Sequence, residues 1–167
     1  MDTIRELIIK ELIARAAVMQ ITSPSTGYYT DIGATVFRAR PKVDPDDLPC
    51  CVVWPQVEES ENKYGKTFHK MPVKVEGVEH FGAEEPSVVS ERILGDLIKC
   101  FTDQAWDRRR LVVSPASPVT YLDPYAESIV YTGGGTDSYP EEGSVSVGAF
   151  ATFMVTYWTA VGNPYGQ

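Results

Sequence analysis

Basic side chains are outnumbered in this sequence. It contains 15 lysines and arginines against 23 aspartates and glutamates, so its formal net charge at pH 7 is −8. Nonspecific binding to DNA depends on lysines and arginines that neutralise phosphates. The shortage of basic residues therefore argues against nonspecific DNA binding, and we also predict no specific nucleic-acid binding. The run Arg108 to Arg110 could contact nucleic acid or an acidic partner, but a solvated turn or a salt-bridge patch between subunits is the better interpretation.

Residues that commonly carry chemistry are also few. The sequence has two histidines, His69 and His80, and three cysteines, Cys50, Cys51 and Cys100. Their spacing matches neither a metal site nor a disulfide framework, and we interpret the cysteines as reduced, small hydrophobic residues of a cytoplasmic protein. A Cys–His pair remains an alternative. We predict that the protein is not an enzyme and has no catalytic residues, cofactor or metal.

Long uncharged hydrophobic segments are missing. The N-terminal stretch MDTIRELIIKELIARAAVMQ has charged residues within its apolar run, so it is neither a signal peptide nor a membrane span. The acidic run Asp44 to Asp47 lacks the glycine and the distal glutamate of a calcium loop. We predict a solvated turn there, and no association with a membrane.

The most informative segment is the run from Ser144 to Trp158, SVSVGAFATFMVTYW. Its odd positions from Val145 to Tyr157 are apolar, and side chains alternate between the two faces of a strand. This alternation predicts the longest strand of an antiparallel sheet, with Val145, Phe153 and Val155 on the buried face.

Two helices and four further strands are predicted around this strand. Apolar residues recur at helical spacing in residues 3–20 and 84–102. Alternating or continuous apolar runs indicate strands at 34–40, 50–59, 67–78 and 125–131. Residues 1–167 fit a single domain. We predict an α+β sandwich, in which two helices cover the odd-residue face of one mainly antiparallel sheet of about five strands.

Two connections are rich in charge or glycine. Residues 58–66 form a charged segment that ends in a hairpin tip at Tyr64 and Gly65. Residues 132–143 contain Gly133 to Gly135, which we interpret as a mobile hairpin loop, because no Gly-Lys-Ser/Thr of a phosphate loop follows.

The order of these elements resembles a known family. The segments that carry the resemblance are FRARPKVDPDDLPCCVVWPQVEE, HKMPVKVEGV, SERILGDLIKCF and IVYTGGGTDSYPEEGSVSVGAFATFMVTYWT. Together they are similar to the tail terminator, or tail completion, proteins of long-tailed bacteriophages and their prophages, the family of the lambda minor tail protein U. The resemblance spans nearly the whole chain and lies in structural patterns rather than catalytic motifs.

The resemblance implies a structural role. Members of this family form a ring, usually a homo-hexamer, that caps the tail tube, stops its polymerisation and presents a surface to the head connector. The expected partners are other copies of the chain, the tail tube protein and a neck protein, in the host cytoplasm during assembly and then in the virion tail. Another neck or head–tail joining protein, or a small non-catalytic binding domain, is the alternative.

DNA must pass through the pore of such a ring, and an acidic lining would let it slide rather than retain it. We therefore expect the acidic tips to be poorly ordered in the isolated subunit and to become ordered at contacts with the ring, tube or connector. The predicted assembly-interface residues are Glu58, Glu59, Glu61, Tyr64, Asp137, Tyr139, Glu141 and Glu142.

Overall fold

The fold was analysed in a computed structural model. It describes residues 1–21, 27–102, 110–114, 117–122, 125–136 and 143–167, with the backbone alone for 110–114 and 117–122. The helices and strands, in chain order, are α1 (Ile4–Ala16), β1 (Val36–Arg38), β2 (Cys50–Pro55), β3 (Glu59–Lys63), β4 (Lys66–His80), α2 (Pro86–Thr102), β5 (Arg110–Ser114), β6 (Ser117–Leu122), β7 (Ser128–Thr136) and β8 (Ser146–Ala160).

One mixed sheet organises the molecule. Its strand order is β1-β2-β4-β8-β7, and β3 also pairs with β4. The β1–β2 pair is parallel, and the other pairs are antiparallel. Strands β4 and β8 are paired along fifteen residues each, from Lys66–Ala160 to His80–Ser146. Strands β5 and β6 form a separate two-stranded sheet.

Both helices pack on one face of the sheet, so the predicted α+β architecture is confirmed. Helix α1 contacts β1 and β2, while α2 contacts β4, β7 and β8. The odd positions of the central strands enter a single core with the apolar faces of both helices. Gly77 of β4 leaves room for this packing, because a Cβ there would lie 2.6 Å from Ile93 Cγ2 of α2 and 2.9 Å from Ile32 Cδ1.

The strand predicted at 144–158 is shifted by two residues. It begins at Ser146, so Val145 precedes the ladder and is 61% exposed rather than buried. Phe153 and Val155 are buried as predicted, at 1% and 0% exposure. The alternation therefore predicted the buried face of the strand correctly, whereas the predicted first residue was wrong.

The glycine run is not a hairpin loop, and this prediction was wrong. Residues Gly133 to Gly135 lie within β7 and pair with Thr152, Ala151 and Phe150 of β8. Pairing with a long neighbour supplies the order that three glycines lack by themselves. The remainder of the predicted acidic loop, residues 137–142, lies outside the described residues.

Helix α1 is shorter than the predicted range 3–20, and one side of it that carries charged residues is buried. Thr3 caps its start by accepting a hydrogen bond from the Glu6 N–H at 3.1 Å. Glu11 and Arg15 are only 8% and 1% exposed and form an ion pair at 2.9 Å. The helix also contacts α2 and β5, which explains why this side does not face water.

The acidic segment is a turn at the surface, as predicted. The acidic segment contains a short 3-10 helix at Pro45–Asp47, and Arg40 forms ion pairs with Asp44 at 3.6 Å and Asp47 at 3.1 Å. The C-terminal tail is held by a hydrogen bond from the Ile4 N–H to the Pro164 carbonyl at 2.9 Å.

Candidate functional site

The β3–β4 hairpin contains the first group of predicted interface residues. Lys63 pairs directly with Lys66, which leaves Tyr64 and Gly65 as a two-residue turn. Both turn residues have positive φ, 52° and 75°, as a type I′ hairpin turn requires. The Tyr64 side chain is 97% exposed at the end of this hairpin.

The acidic residues of the hairpin lie on the strand rather than at its tip. Glu59 and Glu61 are exposed and pair in register with Lys70 and Phe68 of β4. Glu61 also forms an ion pair with Lys63 at 2.8 Å. The end of the hairpin is therefore Lys-Tyr-Gly-Lys, which is basic and aromatic. The prediction of an acidic tip was wrong for this segment.

Glu58 has a different position from the other predicted interface residues. Its carboxylate is partly buried and accepts a hydrogen bond from the Tyr157 hydroxyl at 2.6 Å. It also lies 3.2 Å from Arg5 Nε and 3.4 Å from His69 Nδ1. Glu58 thus links α1, β4 and β8 within the subunit, which makes it a weaker candidate for a contact with another protein.

The histidine in this network is largely buried, with a side chain that is 13% exposed. The His69 ring stacks on Tyr157 with centroids 4.5 Å apart and an interplanar angle of 12°. Its Nε2 lies 3.1 Å from the Thr159 hydroxyl. Burial and the adjacent Glu58 carboxylate raise the pKa of Tyr157 above its usual value, so the phenol stays protonated and donates to Glu58.

A carboxylate, an imidazole and a hydroxyl in this order resemble the components of a hydrolase site. However, Thr159 is only 5% exposed, so a substrate could not reach its hydroxyl without local opening. We assign the Glu58–His69–Thr159 group to internal stabilisation. No sequence pattern predicts this group, because His69 and Thr159 are separated by 90 residues.

The sheet face opposite the helices carries aromatic and basic side chains. We call it the open face, and it contains half-buried Trp54, Phe150, Met154 and Trp158. Lys66 Nζ lies 3.5 Å from the centroid of the Trp158 ring, and Lys74 Nζ lies 4.9 Å from that of Phe150. Further members are Phe68, Lys70, Pro72, Glu76 and Val130.

The end of the sheet away from the hairpin is acidic. Glu79 lies near the end of β4, where burial raises its pKa to about 7, with smaller contributions from Asp31, Asp96 and Glu84. Asp96 of α2 accepts hydrogen bonds from the Tyr29 N–H, the Thr30 N–H and the Thr30 hydroxyl at 2.9, 2.8 and 2.7 Å. It thereby fixes the segment before β1 against α2.

The three cysteines are buried and reduced. Burial is the main cause that raises the pKa of the Cys50 thiol to about 11 and that of Cys51 well above its usual value. Such thiols are poor nucleophiles at neutral pH. Within the described residues, no cluster of three or more histidine, cysteine or acidic side chains is arranged to hold a metal ion.

The other predicted interface residues, Asp137, Tyr139, Glu141 and Glu142, lie outside the described residues. The structure therefore brings together only the hairpin group of the predicted set. It adds the open face, which the sequence analysis did not single out as an interface. The half-exposed aromatic positions at even numbers of β8 were the available signal for that face.

No protein-family profile matches the sequence, and no curated protein matches it. In the part of the chain that the structure describes, no helix is long and apolar enough to cross a membrane.

Proposed function

We propose that the chain is a structural protein of phage tail assembly, a tail terminator. In this role, copies of the chain form a ring on the end of the tail tube, stop its polymerisation and present a surface to the head connector. DNA passes through the centre of the ring without a specific contact. The proposal requires surfaces that bind other proteins, and it requires no chemistry.

The observation that best supports this function is the open face. Both helices pack on the opposite side of the sheet. The open face nevertheless carries the large apolar side chains of Trp54, Met154 and Trp158. Aromatic residues and methionine are enriched where protein surfaces associate. A sheet with one helix-covered face and one aromatic face suits a subunit that is completed by its neighbours.

The charge distribution gives further support. The chain has a net charge of −8, and three of the basic side chains on the sheet lie along β4, at Lys66, Lys70 and Lys74. A ring of such subunits would present DNA with a mainly acidic object, which does not retain phosphates. The acidic residues Asp137, Glu141 and Glu142 remain candidates for the surface that DNA passes.

The test is an assembly assay with the tube protein encoded beside this chain. Tubes assembled with the wild-type chain should have one narrow length distribution by electron microscopy, while tubes without it should overgrow. Met154→Glu should abolish this control, because it places a charge in the centre of the open face. Tyr29→Glu, at a 70% exposed position in the segment held by Asp96 of α2, is the matched control and should behave as wild type.

The outcomes separate the two structural roles. Tubes that overgrow with the wild-type chain would contradict the proposal. Tails of normal length that fail to join heads when the gene is deleted would instead support another head–tail joining protein. Circular dichroism and thermal melting of Met154→Glu must show a folded subunit for its loss of function to count.

A further inference from the structure

Tyr64 occupies a backbone position that does not suit tyrosine. Its φ of 52° places it in the left-handed region, at the first position of a type I′ turn. Glycine, asparagine and aspartate are favoured there, and a bulky side chain is an outlier. Because the ring is 97% exposed, packing within the subunit does not offset this strain. Strain of this kind is concentrated where proteins make functional contacts.

The residues around Tyr64 make the hairpin end basic. Lys63 and Lys66 flank the turn, and the Lys63 side chain is 55% exposed. Exposed ion pairs such as that between Lys63 and Glu61 are weak and can be exchanged for new partners. An exposed aromatic residue between two lysines is suited to an acidic site with an apolar floor.

Such a site lies at the other end of the same molecule. Strand β4 runs from the hairpin to His80, and its fifteen residues separate the two ends by about 46 Å. Beyond it, the first turns of α2 border a shallow hollow of about 420 Å³, lined by Ser87, Val88, Glu91 and Arg92. Val88 is 44% exposed within it.

The surroundings of this hollow are complementary in charge to the hairpin. Glu84 and Glu85 immediately precede α2, and both are exposed, as is Glu91 on its wall. Arg92 is already paired with Glu84 at 2.6 Å. The hollow thus offers an apolar contact at Val88 within an acidic border, which matches the Lys-Tyr-Gly-Lys sequence of the turn.

We propose that Tyr64 of one copy inserts into the α2 hollow of a second copy. Its ring packs on Val88, its hydroxyl donates to the Glu91 carboxylate, and the two flanking lysines face Glu84 and Glu85. The contact joins opposite ends of neighbouring subunits, so it is heterologous and generates a ring or an open chain. It deepens the proposed function, on which it rests for the association of copies, by naming the contact between them.

The first test separates stability from association. Tyr64→Asn removes the anchor but suits the left-handed turn, so it should raise the melting temperature by about 2–4 °C. The same variant should weaken self-association about tenfold or more in sedimentation velocity. Tyr29→Asn, at a 70% exposed tyrosine elsewhere, is the matched control and should associate as wild type. Unchanged association of Tyr64→Asn would overturn the proposal.

The second test traps the contact directly. The three natural cysteines are buried, so introduced thiols are the reactive ones. Under mild oxidation, a mixture of Tyr64→Cys and Val88→Cys subunits should form a disulfide-linked dimer. Tyr29→Cys, at a 70% exposed position in the segment held by Asp96 of α2, should not cross-link when mixed with Val88→Cys. Failure of the first mixture to cross-link, or equal cross-linking of both, would also overturn the proposal.

A charge exchange completes the design. Lys63→Glu with Lys66→Glu should prevent association, and so should Glu85→Lys with Glu91→Lys, whereas a mixture of the two double variants should associate again. These measurements use the purified chain without tube protein. If they succeed while the wild-type chain fails to limit tube length, the contact stands and the tail-terminator function does not. If tube length is limited but cross-linking fails, the tail-terminator function stands and the proposed contact does not.

Discussion

At the scale of single residues, Glu79 provides a pH-dependent contribution to stability. Its pKa is raised to about 7 from an ordinary 4.5, so the folded state holds this proton more tightly than the unfolded state. Stability therefore falls as pH rises from about 4.5 to 7, and it is greatest below this window. Because the side chain is partly exposed, we expect a loss of about 1–2 kcal/mol.

Glu79→Gln should remove this dependence. The variant and the wild type should have similar unfolding free energies near pH 4.5, and the variant should be the more stable of the two at pH 8. Urea denaturation at several pH values measures the difference in unfolding free energy between the variant and the wild type. The titration of all other groups largely cancels in this difference. Parallel curves for the two proteins would show that Glu79 does not contribute.

A second prediction concerns the hydroxyl of Tyr157. It donates to Glu58 at 2.6 Å in a partly buried network, and hydrogen bonds to charged groups contribute about 1.5–3 kcal/mol. Tyr157→Phe should therefore lower the unfolding free energy by about 1–2 kcal/mol, since Arg5 still compensates the Glu58 charge. Tyr165→Phe, at a half-exposed ring, is the control and should change it little. Equal effects in chemical denaturation would exclude a special role for the Glu58 network.

The candidate site could be predicted only in part from the sequence. Tyr64 and Gly65 were recognised as a hairpin tip, because a turn is encoded by adjacent residues. The inward position of Glu58 could not be foreseen, because it depends on Arg5, His69 and Tyr157, which approach it only after the sheet has formed. Local patterns carry no information on such partners.

At the scale of elements, β7 shows that one glycine is required and its neighbour is not. A Cβ at Gly134 would lie 2.5 Å from the Phe150 carbonyl oxygen and 3.1 Å from Leu94 Cδ1 of α2. A Cβ at Gly135 would make only an ordinary contact, 3.6 Å from the Phe150 ring. The two residues face opposite sides of the sheet, and only Gly134 lies under a helix.

Substitution by alanine should therefore distinguish the two positions. Gly134→Ala should destabilise the protein by about 2 kcal/mol, because the carbonyl and the helix must shift to make room. Gly135→Ala should be neutral or slightly stabilising, since it restricts the unfolded chain without a clash. Thermal melting of the two variants provides the comparison, and similar losses in both would contradict this account of the packing.

The elements that the sequence predicted well are those with strong periodicity. Strand β8 and helix α2 have apolar residues at regular spacing, and both were found within two residues of their boundaries. Strand β3 was missed, because Glu-Ser-Glu-Asn-Lys has no apolar alternation and is a strand only through its pairing with β4. The extension of β7 through three glycines was missed for the same reason.

At the scale of the whole molecule, the two helices and the hairpin divide the surface into distinct regions. One sheet face is covered by α1 and α2, and the other carries the aromatic residues of the open face. The basic hairpin turn and the acidic start of α2 lie at opposite ends of β4. This division into faces and ends gives a subunit two independent ways to contact other proteins, one across the open face and one from end to end.

The β4–β8 ladder also has a mechanical consequence. Fifteen residues of each strand are paired between Lys66 and His80, without an irregularity in register. A pull applied along these strands in opposite directions loads many hydrogen bonds at once, so they resist in parallel. A pull that peels β7 from β8 breaks the hydrogen bonds of this pair one after another, starting from one end, and crosses the register shift between Tyr131 and Gly133. The molecule should therefore resist tension along β4 and β8, and strand β7 should separate from the sheet first.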